Sequence, residues 1–175
     1  MKDNHIDIRQ LAIGDADNFI EAMKLSTEIH TNWVNPPLDI QSFTDYLEKF
    51  NNDSNYSFII YNKSTPEIIL GIVNITQIIR GVFQNGFLSY FATHHGHKTL
   101  TMYNGLQQII NYAFGTLNLH RLEANIQPDN IRSINLIERL NFECEGYSKE
   151  YLFINDKWRD HKRYALINNK HQLLK

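Results

Sequence analysis

The stretch from Leu117 to Gly146, LNLHRLEANIQPDNIRSINLIERLNFECEG, constrains the fold of this chain more than any other. Arg121 to Ile126 alternates polar and apolar residues, which is the pattern of a strand buried on one face. Pro128 breaks that strand because it has no N–H group to donate to a sheet. Asp129 or Asn130 can then cap a helix. A strand, a loop and a helix are therefore predicted in this order.

The predicted helix carries an apolar residue at every third position, namely Ile131, Ile134, Ile137 and Leu140. We expect these residues to form one apolar stripe that faces the core. Asn141 predicts the end of the helix, because Asn often adopts the left-handed conformation that terminates helices. A further strand begins at Phe142, and we expect Cys144 on it to be a small buried residue, since nothing near it in sequence would activate a thiol.

The composition indicates one globular domain, placed at residues 1–168, with a polar tail at 169–175. The chain has 175 residues, of which 42% are hydrophobic, and this is long enough for one substantial core. A net charge of −2 gives no support for binding to nucleic acid or to an anionic membrane. No run approaches the ~18 apolar residues of a membrane span. The single cysteine excludes an internal disulfide and fits a soluble, cytoplasmic protein.

The other elements are predicted from periodicity and turn residues. The first helix is expected to begin near Asp15, as its N-cap, and to bury Phe19, Met23 and Leu25. Further helices are expected at 43–50 and 102–117, and strands at 6–11, 57–61, 68–80, 86–93, 142–154 and 158–167. The last two strands form a hairpin turned at Asn155-Asp156. Strands mixed with helices, with the long helix crossing over between strands, predict an α/β sheet covered on both faces.

Several segments resemble the GNAT superfamily, in its ribosomal-protein N-acetyltransferase (RimJ/RimL-like) branch. Motif B of that branch contains LHR, A-x-x-x-P-x-N-x-x-S and a GF-x-x-EG ending, and these match the residues from Leu119 to Gly146. IIRGVFQNGFLSY and YLFINDKWRDHKRYAL also resemble segments of the branch, although Ser89 stands where the family usually has Gly. The likeness, from about Gly71 to Asn168, implies the GNAT fold: a mixed, mostly antiparallel twisted sheet of six to seven strands with helices on both faces.

The resemblance implies that the loop YFATHHGHKTLTM, residues 90–102, holds the pyrophosphate of acetyl-CoA. Helix N-termini bind anions through backbone N–H groups, and Gly lets the backbone come close. A gapless alignment puts Lys98 and Leu100 at the two glycine positions of the family pattern, and Gly96 replaces one of them only if the loop shifts by two residues. The implied cofactor-binding residues here are His97, Lys98, Thr99, Leu100 and Thr101, with Lys98 as a point charge for a phosphate.

The resemblance also implies roles around the acyl group. A backbone N–H near Phe91 or Ala92 would polarise the thioester carbonyl. Asn130 matches the asparagine that touches the cofactor arm, although a helix cap is an alternative role. Ser133 matches the N-x-x-S serine of the branch and is expected to face the sulfur, since many other GNAT enzymes use a tyrosine where this chain has Ile137.

The remaining candidate residues are those for the general base and for contact with the acceptor amine. Glu150 is the residue we favour as general base, on one face of a strand with the position that carries a glutamate in some relatives. The alternatives are a water chain or one of Glu123, Glu143 and Glu145. Trp33, in a lid-like region, and Tyr90 are expected to contact the acceptor, and a core position is the alternative for Trp33.

Two hypotheses for function follow. The first is an N-acetyltransferase that moves an acetyl group directly from acetyl-CoA to a primary amine, either a protein N-terminal α-amine or a small molecule. The second is a degenerate GNAT module that binds partners without catalysis, suggested by Lys98, Leu100 and Ile137. No metal is expected, because His94, His95 and His97 fit no common structural zinc spacing. A homodimer is expected only by analogy.

Overall fold

The computed structural model describes residues 5–30, 33–97 and 99–170. Its helices are α1 (Ala16–Leu25), α2 (Thr27–His30), α3 (Ile40–Lys49), α4 (Thr101–Gly115) and α5 (Ile131–Arg139). Its strands are β1 (Ile6–Gln10), β2 (Asn51–Asn52), β3 (Asn55–Asn62), β4 (Thr65–Ile79), β5 (Asn85–Ala92), β6 (Arg121–Ile126), β7 (Glu143–Ile154) and β8 (Lys157–Ile167). Of the predicted tail, residues 171–175 lie outside the described residues. No helix in the described ranges is both long and apolar enough to cross a membrane.

The strands form one mixed sheet in the order β1-β3-β4-β5-β6-β8-β7, and the two-residue β2 pairs with β3. Adjacent strands in this order are antiparallel except β5 and β6, which run parallel. The parallel pair needs a crossover, and α4 supplies it. The α/β fold predicted from the sequence, with six to seven mostly antiparallel strands, is therefore confirmed.

Alternating residues of the central strands supply two cores on opposite faces of the sheet. On one face, Ile59 and Ile72 pack with Phe19 of α1 and Phe43 of α3. On the other face, Ile60, Val73 and Ile75 pack with residues of α4 and α5, including Leu106, Ile109, Ile134 and Ile137. This arrangement follows from the period of two along a strand, which sends successive side chains to opposite faces. Helices therefore cover both faces, as predicted.

Three predictions of burial were wrong. Leu25 is 54% exposed, because it lies two residues beyond the buried Met23 and so about 200° around the helix from it. Ile131 is 58% exposed, because a spacing of three drifts around a helix and only the later residues of the stripe face the sheet. Cys144 is exposed, because β7 is an edge strand at the end of the sheet.

Asp15 occupies the predicted N-cap position of α1, but its carboxylate makes no capping hydrogen bond to the helix. It instead accepts two hydrogen bonds from the guanidinium of Arg9, at 2.7 and 2.5 Å, and one from the N–H of Ala12 at 2.9 Å. The carboxylate thus joins β1 to the start of α1. This paired arrangement raises the pKa of Arg9, chiefly through its hydrogen bond to Asp15.

Asp15→Ala is expected to lower the free energy of unfolding by about 2 kcal/mol, because it leaves a half-buried guanidinium and a backbone N–H without their acceptor. Urea unfolding monitored by circular dichroism measures the effect. Asp17→Ala is the matched control, since Asp17 is exposed in the first turn of the same helix. Equal stability of the two variants would show that the Arg9–Asp15 pair contributes nothing to the fold.

Candidate active site

A cleft opens where β5 and β6 separate. The two strands pair only from Asn85 to Phe87 on β5 and from Arg121 to Glu123 on β6. Beyond Phe87, β5 continues to Ala92, while the rest of β6 remains paired with β8 on its other side. The strands therefore diverge, and backbone groups along their facing edges are left open to a ligand.

The cleft has a volume of about 740 Å³ and brings together elements that are far apart in sequence. The predicted site residues that line it are Trp33, Tyr90, Phe91, Ala92, His97, Thr99, Leu100, Asn130 and Ser133. Thr101, the buried first residue of α4, is not among the lining residues. Lys98 lies outside the described residues. A volume of this size fits the usual range for small-molecule and cofactor sites.

The hydrogen-bond ladder shows which backbone groups face the cleft. Thr93 N–H donates to Leu70 C=O across the β4–β5 pair at 3.1 Å. In an antiparallel ladder, every second residue turns both its N–H and its C=O to the same neighbour. Phe91 therefore bonds with β4, while Ala92 turns both groups towards the cleft. From the sequence, the N–H that polarises the thioester carbonyl could belong to Phe91 or to Ala92. The hydrogen-bond pattern shows that the N–H of Ala92 is the one that faces the cleft.

The loop before α4 is fastened to the sheet and to the helix. Gly96 N–H donates to Thr93 C=O at 3.1 Å, and Gly96 C=O accepts a hydrogen bond from Thr99 Oγ1 at 2.9 Å. The Thr99 hydroxyl also accepts the N–H of Thr101 at 3.2 Å, which satisfies one of the unpaired donors at the helix start. The first intrahelical acceptor is Leu100 C=O, which binds Asn104 N–H at 3.1 Å. The N–H groups of residues 102 and 103 therefore precede the helical ladder at the edge of the cleft.

Two arginines that sequence reasoning missed line this end of the cleft. Arg132, in the first turn of α5, places a guanidinium nitrogen 2.9 Å from Nε2 of His97. Arg139 lies 5.0 Å from the ring centre of Tyr103, in a cation–π arrangement. The one carboxylate among the described lining residues is Asp129, which is exposed. This end of the cleft is therefore positively charged. The signal in the sequence was the spacing of seven residues between the two arginines, which puts them on one face of α5 two turns apart.

Asn130 and Ser133 are held together at the start of α5. Asn130 is the N-cap, and its Oδ1 accepts the N–H of Ser133 at 3.2 Å. Ser133 C=O accepts a hydrogen bond from the Tyr90 hydroxyl at 3.0 Å, and burial raises the pKa of that tyrosine so that it stays protonated. Both bonds of Ser133 use its backbone. Its hydroxyl makes no hydrogen bond to a described residue, and the serine is half-buried in the cleft wall.

His30 also lines the cleft, and sequence reasoning missed it. It ends the four-residue helix α2, is 3% exposed, and places Nε2 2.8 Å from the carbonyl oxygen of Ala92. Its ring packs edge-on against Phe91 with centroids 5.2 Å apart. Burial lowers the pKa of His30, and the hydrogen bond to Ala92 offsets part of that effect. Trp33 follows in the next turn, where its N–H donates to His30 C=O at 2.8 Å, and it lines the same wall.

The carboxylates considered as general bases lie away from the cleft. Glu150 is exposed on β7 at a positive φ of 47°, and its N–H donates to the carboxylate of Asp160 at 2.8 Å. Glu123 and Glu145 both form ion pairs with Arg121. Glu143, the remaining alternative, is exposed near the start of β7 and is absent from the cleft lining. Glu150 was chosen because it lies two residues before the position that carries a glutamate in some relatives, and alternate residues of a strand share a face. The irregular pairing of β7 with β8 between Ser148 and Leu152 breaks that alternation.

Comparison with known proteins decides the family. The model of the acetyltransferase (GNAT) domain matches residues 5–143, which is most of the chain. The chain belongs to the GNAT acetyltransferase family. Acetyl transfer to an amine is therefore the activity that family membership assigns to this GNAT chain, and the degenerate module is not favoured.

Individual relatives agree with this assignment. The chain is 36% identical over 127 residues to YjcK of Bacillus subtilis, a probable N-acetyltransferase, and the match covers 71% of this chain and 68% of that protein. It is 38% identical over 113 residues to the [ribosomal protein uS5]-alanine N-acetyltransferase of Escherichia coli, over 65% of this chain and 58% of the relative. The crystal structure of ribosomal-protein-S5-alanine acetyltransferase from Vibrio fischeri has the same fold, with a TM-score of 0.85, 24% identity and 98% coverage of both chains.

Proposed function

We propose that this GNAT protein transfers the acetyl group of acetyl-CoA directly to the α-amine of a protein N-terminus. The observation that carries the proposal is the cleft between β5 and β6, which is lined by an inward-facing N–H of Ala92 on β5 and by two arginines on α5. A thioester with a long phosphorylated arm needs both features in one groove.

The positive end of the cleft fits the phosphates of CoA. The N–H groups at the start of α4 are unpaired within the helix, and such groups bind anions. Arg132 and Arg139 supply two guanidinium groups that hydrogen-bond well to phosphate oxygens. We propose that these groups take the place of the glycines that the family pattern has at positions 98 and 100.

The N–H of Ala92 on β5 and the start of α5 fit the reacting group. Acetyl-CoA supplies an acetyl group activated as a thioester. The N–H of Ala92 is placed to donate to the carbonyl oxygen as negative charge develops there. Asn130 contacts the arm of the cofactor from the start of α5, and Ser133 Oγ faces the departing sulfur and protonates it.

The charges around the cleft favour an acceptor with one amine over a polyamine. A polyamine carries several positive charges and would need several carboxylates. Asp129 is the only carboxylate in the described lining of the cleft. An N-terminal α-amine has a lower pKa than a lysine side chain and loses its proton more readily at neutral pH. The half-buried Trp33 and Tyr90 would contact the first residue of the peptide.

Two further proposals concern setting and assembly. A cytoplasmic location is supported by Cys144, the one cysteine of the chain, which is an exposed free thiol. A homodimer stays a prediction by analogy with other members of such families.

The test is incubation of the purified protein with acetyl-CoA and a panel of peptides, followed by mass spectrometry. We expect acetylation at the α-amine of peptides that begin with a small residue. The same peptides with a blocked α-amine and an internal lysine are the control and should remain unmodified, and spermidine should react at least tenfold more slowly. Faster acetylation of spermidine or of the internal lysine would overturn the proposed acceptor while leaving acetyl transfer intact.

A further inference from the structure

His30 carries a nitrogen with an unused lone pair. A carbonyl oxygen can only accept a hydrogen bond, so the nitrogen that faces Ala92 C=O, Nε2, must carry the proton. In the neutral ring, Nδ1 is then an acceptor. This atom is buried and makes no hydrogen bond to any residue that the structure describes. A buried polar atom without a partner destabilises a fold, and functional sites are where such atoms are retained.

His30 also lies beside the place where acetyl transfer is proposed to occur. Its hydrogen bond to Ala92 is made on the side of β5 that faces the cleft, next to the N–H proposed to bind the acyl oxygen. His30 lines the same cleft as Trp33 and Tyr90, which are proposed to contact the acceptor. Ser133, the proposed proton donor to the sulfur, lines the same cleft from a different element, α5.

The other titratable groups of the described lining differ from His30 in their partners or in their exposure. Tyr90 is a donor whose pKa is raised by burial. His97 has the guanidinium of Arg132 against its ring, in the loop proposed for phosphate binding. Asp129 is exposed beside the start of α5. Tyr103 has the guanidinium of Arg139 5.0 Å from its ring centre. Among the titratable groups of the described lining, His30 is the one that has a buried nitrogen without a described hydrogen-bond partner.

We infer that His30 is the general base of the reaction, with Nδ1 accepting a proton from the acceptor amine. The inference rests on the proposed acetyl transfer. The amine nitrogen bonds to the acetyl carbon and the carbon–sulfur bond breaks. Nδ1 takes one proton from the amine, and the sulfur takes one from the hydroxyl of Ser133. The imidazolium of His30 then loses its proton to solvent, and the same solvent reprotonates Ser133, so all atoms balance.

The surroundings of His30 keep it neutral and ready to accept a proton. Burial is the main cause that lowers its pKa, and the Ala92 carbonyl, which acts in the opposite direction, is the other. The charged and titratable groups that line the cleft from α4, α5 and their loops are His97, Tyr103, Asp129, Arg132 and Arg139, and none of them is a cause of the shift. Nδ1 is buried in this conformation, so a side chain of the cleft wall must move before the acceptor amine reaches it.

The test compares His30→Gln with His161→Gln. In the first variant the glutamine side chain keeps an N–H that can donate to Ala92 but cannot take up a proton. His161 is the matched control, since it is also buried with a lowered pKa and a ring nitrogen 2.9 Å from a backbone carbonyl, but it lies on β8 outside the cleft. We expect His30→Gln to lower kcat by about 10²–10⁴-fold and His161→Gln to leave it within about twofold. Acetyl-CoA affinity should stay within about twofold in both.

Two readouts separate a base from a structural residue. The kcat/KM of the parent protein should fall as pH drops through the lowered pKa of His30, below about 6.5, and this limb should vanish in His30→Gln. Nitrogen NMR of the imidazole, without any turnover, should show the Nε2–H tautomer and the lowered pKa. Unchanged kcat and an unchanged acidic limb in His30→Gln would overturn the inference. A parent protein that binds acetyl-CoA and acetylates no amine would instead overturn the proposed function.

Discussion

Ser133→Ala is expected to lower kcat by about 10²–10⁴-fold, the range for loss of a group that transfers a proton. The substitution removes only the hydroxyl, because the hydrogen bonds of Ser133 to Asn130 and to the Tyr90 hydroxyl are made by its backbone. Alanine keeps both and has a higher helix propensity than serine. The variant should therefore fold normally and bind acetyl-CoA within about twofold of the parent protein.

Steady-state kinetics with a saturating peptide acceptor measure the effect, and circular dichroism confirms the fold. Ser89→Ala is the matched control, since Ser89 is exposed on β5 and does not line the cleft. A kcat for Ser133→Ala within about threefold of the parent value would show that the sulfur obtains its proton from another source. A weakened affinity for acetyl-CoA with an unchanged kcat would assign the hydroxyl to binding alone.

Gly96→Ala is expected to weaken acetyl-CoA binding at least tenfold and to lower the free energy of unfolding by about 1–3 kcal/mol, as overpacking of a buried site does. A Cβ at Gly96 would lie 1.9 Å from the carbonyl oxygen of Leu70 and 2.8 Å from its carbon. Both atoms belong to the backbone of β4, which cannot rotate away as a side chain can. The loop would have to move outwards.

The movement would be transmitted directly to the proposed phosphate site. Gly96 N–H is bonded to Thr93, and Gly96 C=O to Thr99, whose hydroxyl accepts the N–H of the first residue of α4. Displacing Gly96 therefore disturbs the start of the helix. Gly14→Ala is the matched control, because no atom lies within 4 Å of its added Cβ. Calorimetry and urea unfolding measure the two effects, and equal behaviour of both variants would show that the loop position is not required.

The fold was predictable because its elements are locally encoded. The hairpin of β7 and β8 turns at Asn155-Asp156. Both residues have positive φ, as a two-residue type I′ turn requires. The helix α5 begins at Asn130 with a side-chain cap. Burial was harder to predict where it depended on the neighbouring element. Cys144 is exposed because β7 ends the sheet, and strand order is decided by long-range pairing.

The site was predictable where a motif named a residue and unpredictable where only three-dimensional contact did. Asn130 and Ser133, which the motif named, line the cleft, and their roles towards the cofactor and the sulfur stay predictions. Nothing local distinguishes His30, because a helix of four residues has no periodicity and its partner Ala92 is 62 residues away. Glu150 was placed by strand alternation, and irregular pairing with β8 breaks that alternation. The choice of Ala92 over Phe91 also required the register of β4 and β5.

The central claim is that this chain binds acetyl-CoA in the cleft between β5 and β6 although Leu100 occupies a glycine position of the family loop. Calorimetric titration with acetyl-CoA tests it most directly, with desulfo-CoA and ATP as controls. We expect one site per chain, a roughly micromolar Kd for acetyl-CoA, similar binding of desulfo-CoA, and much weaker binding of ATP. No detectable heat at about millimolar acetyl-CoA, a concentration where even weak sites fill, would contradict the account.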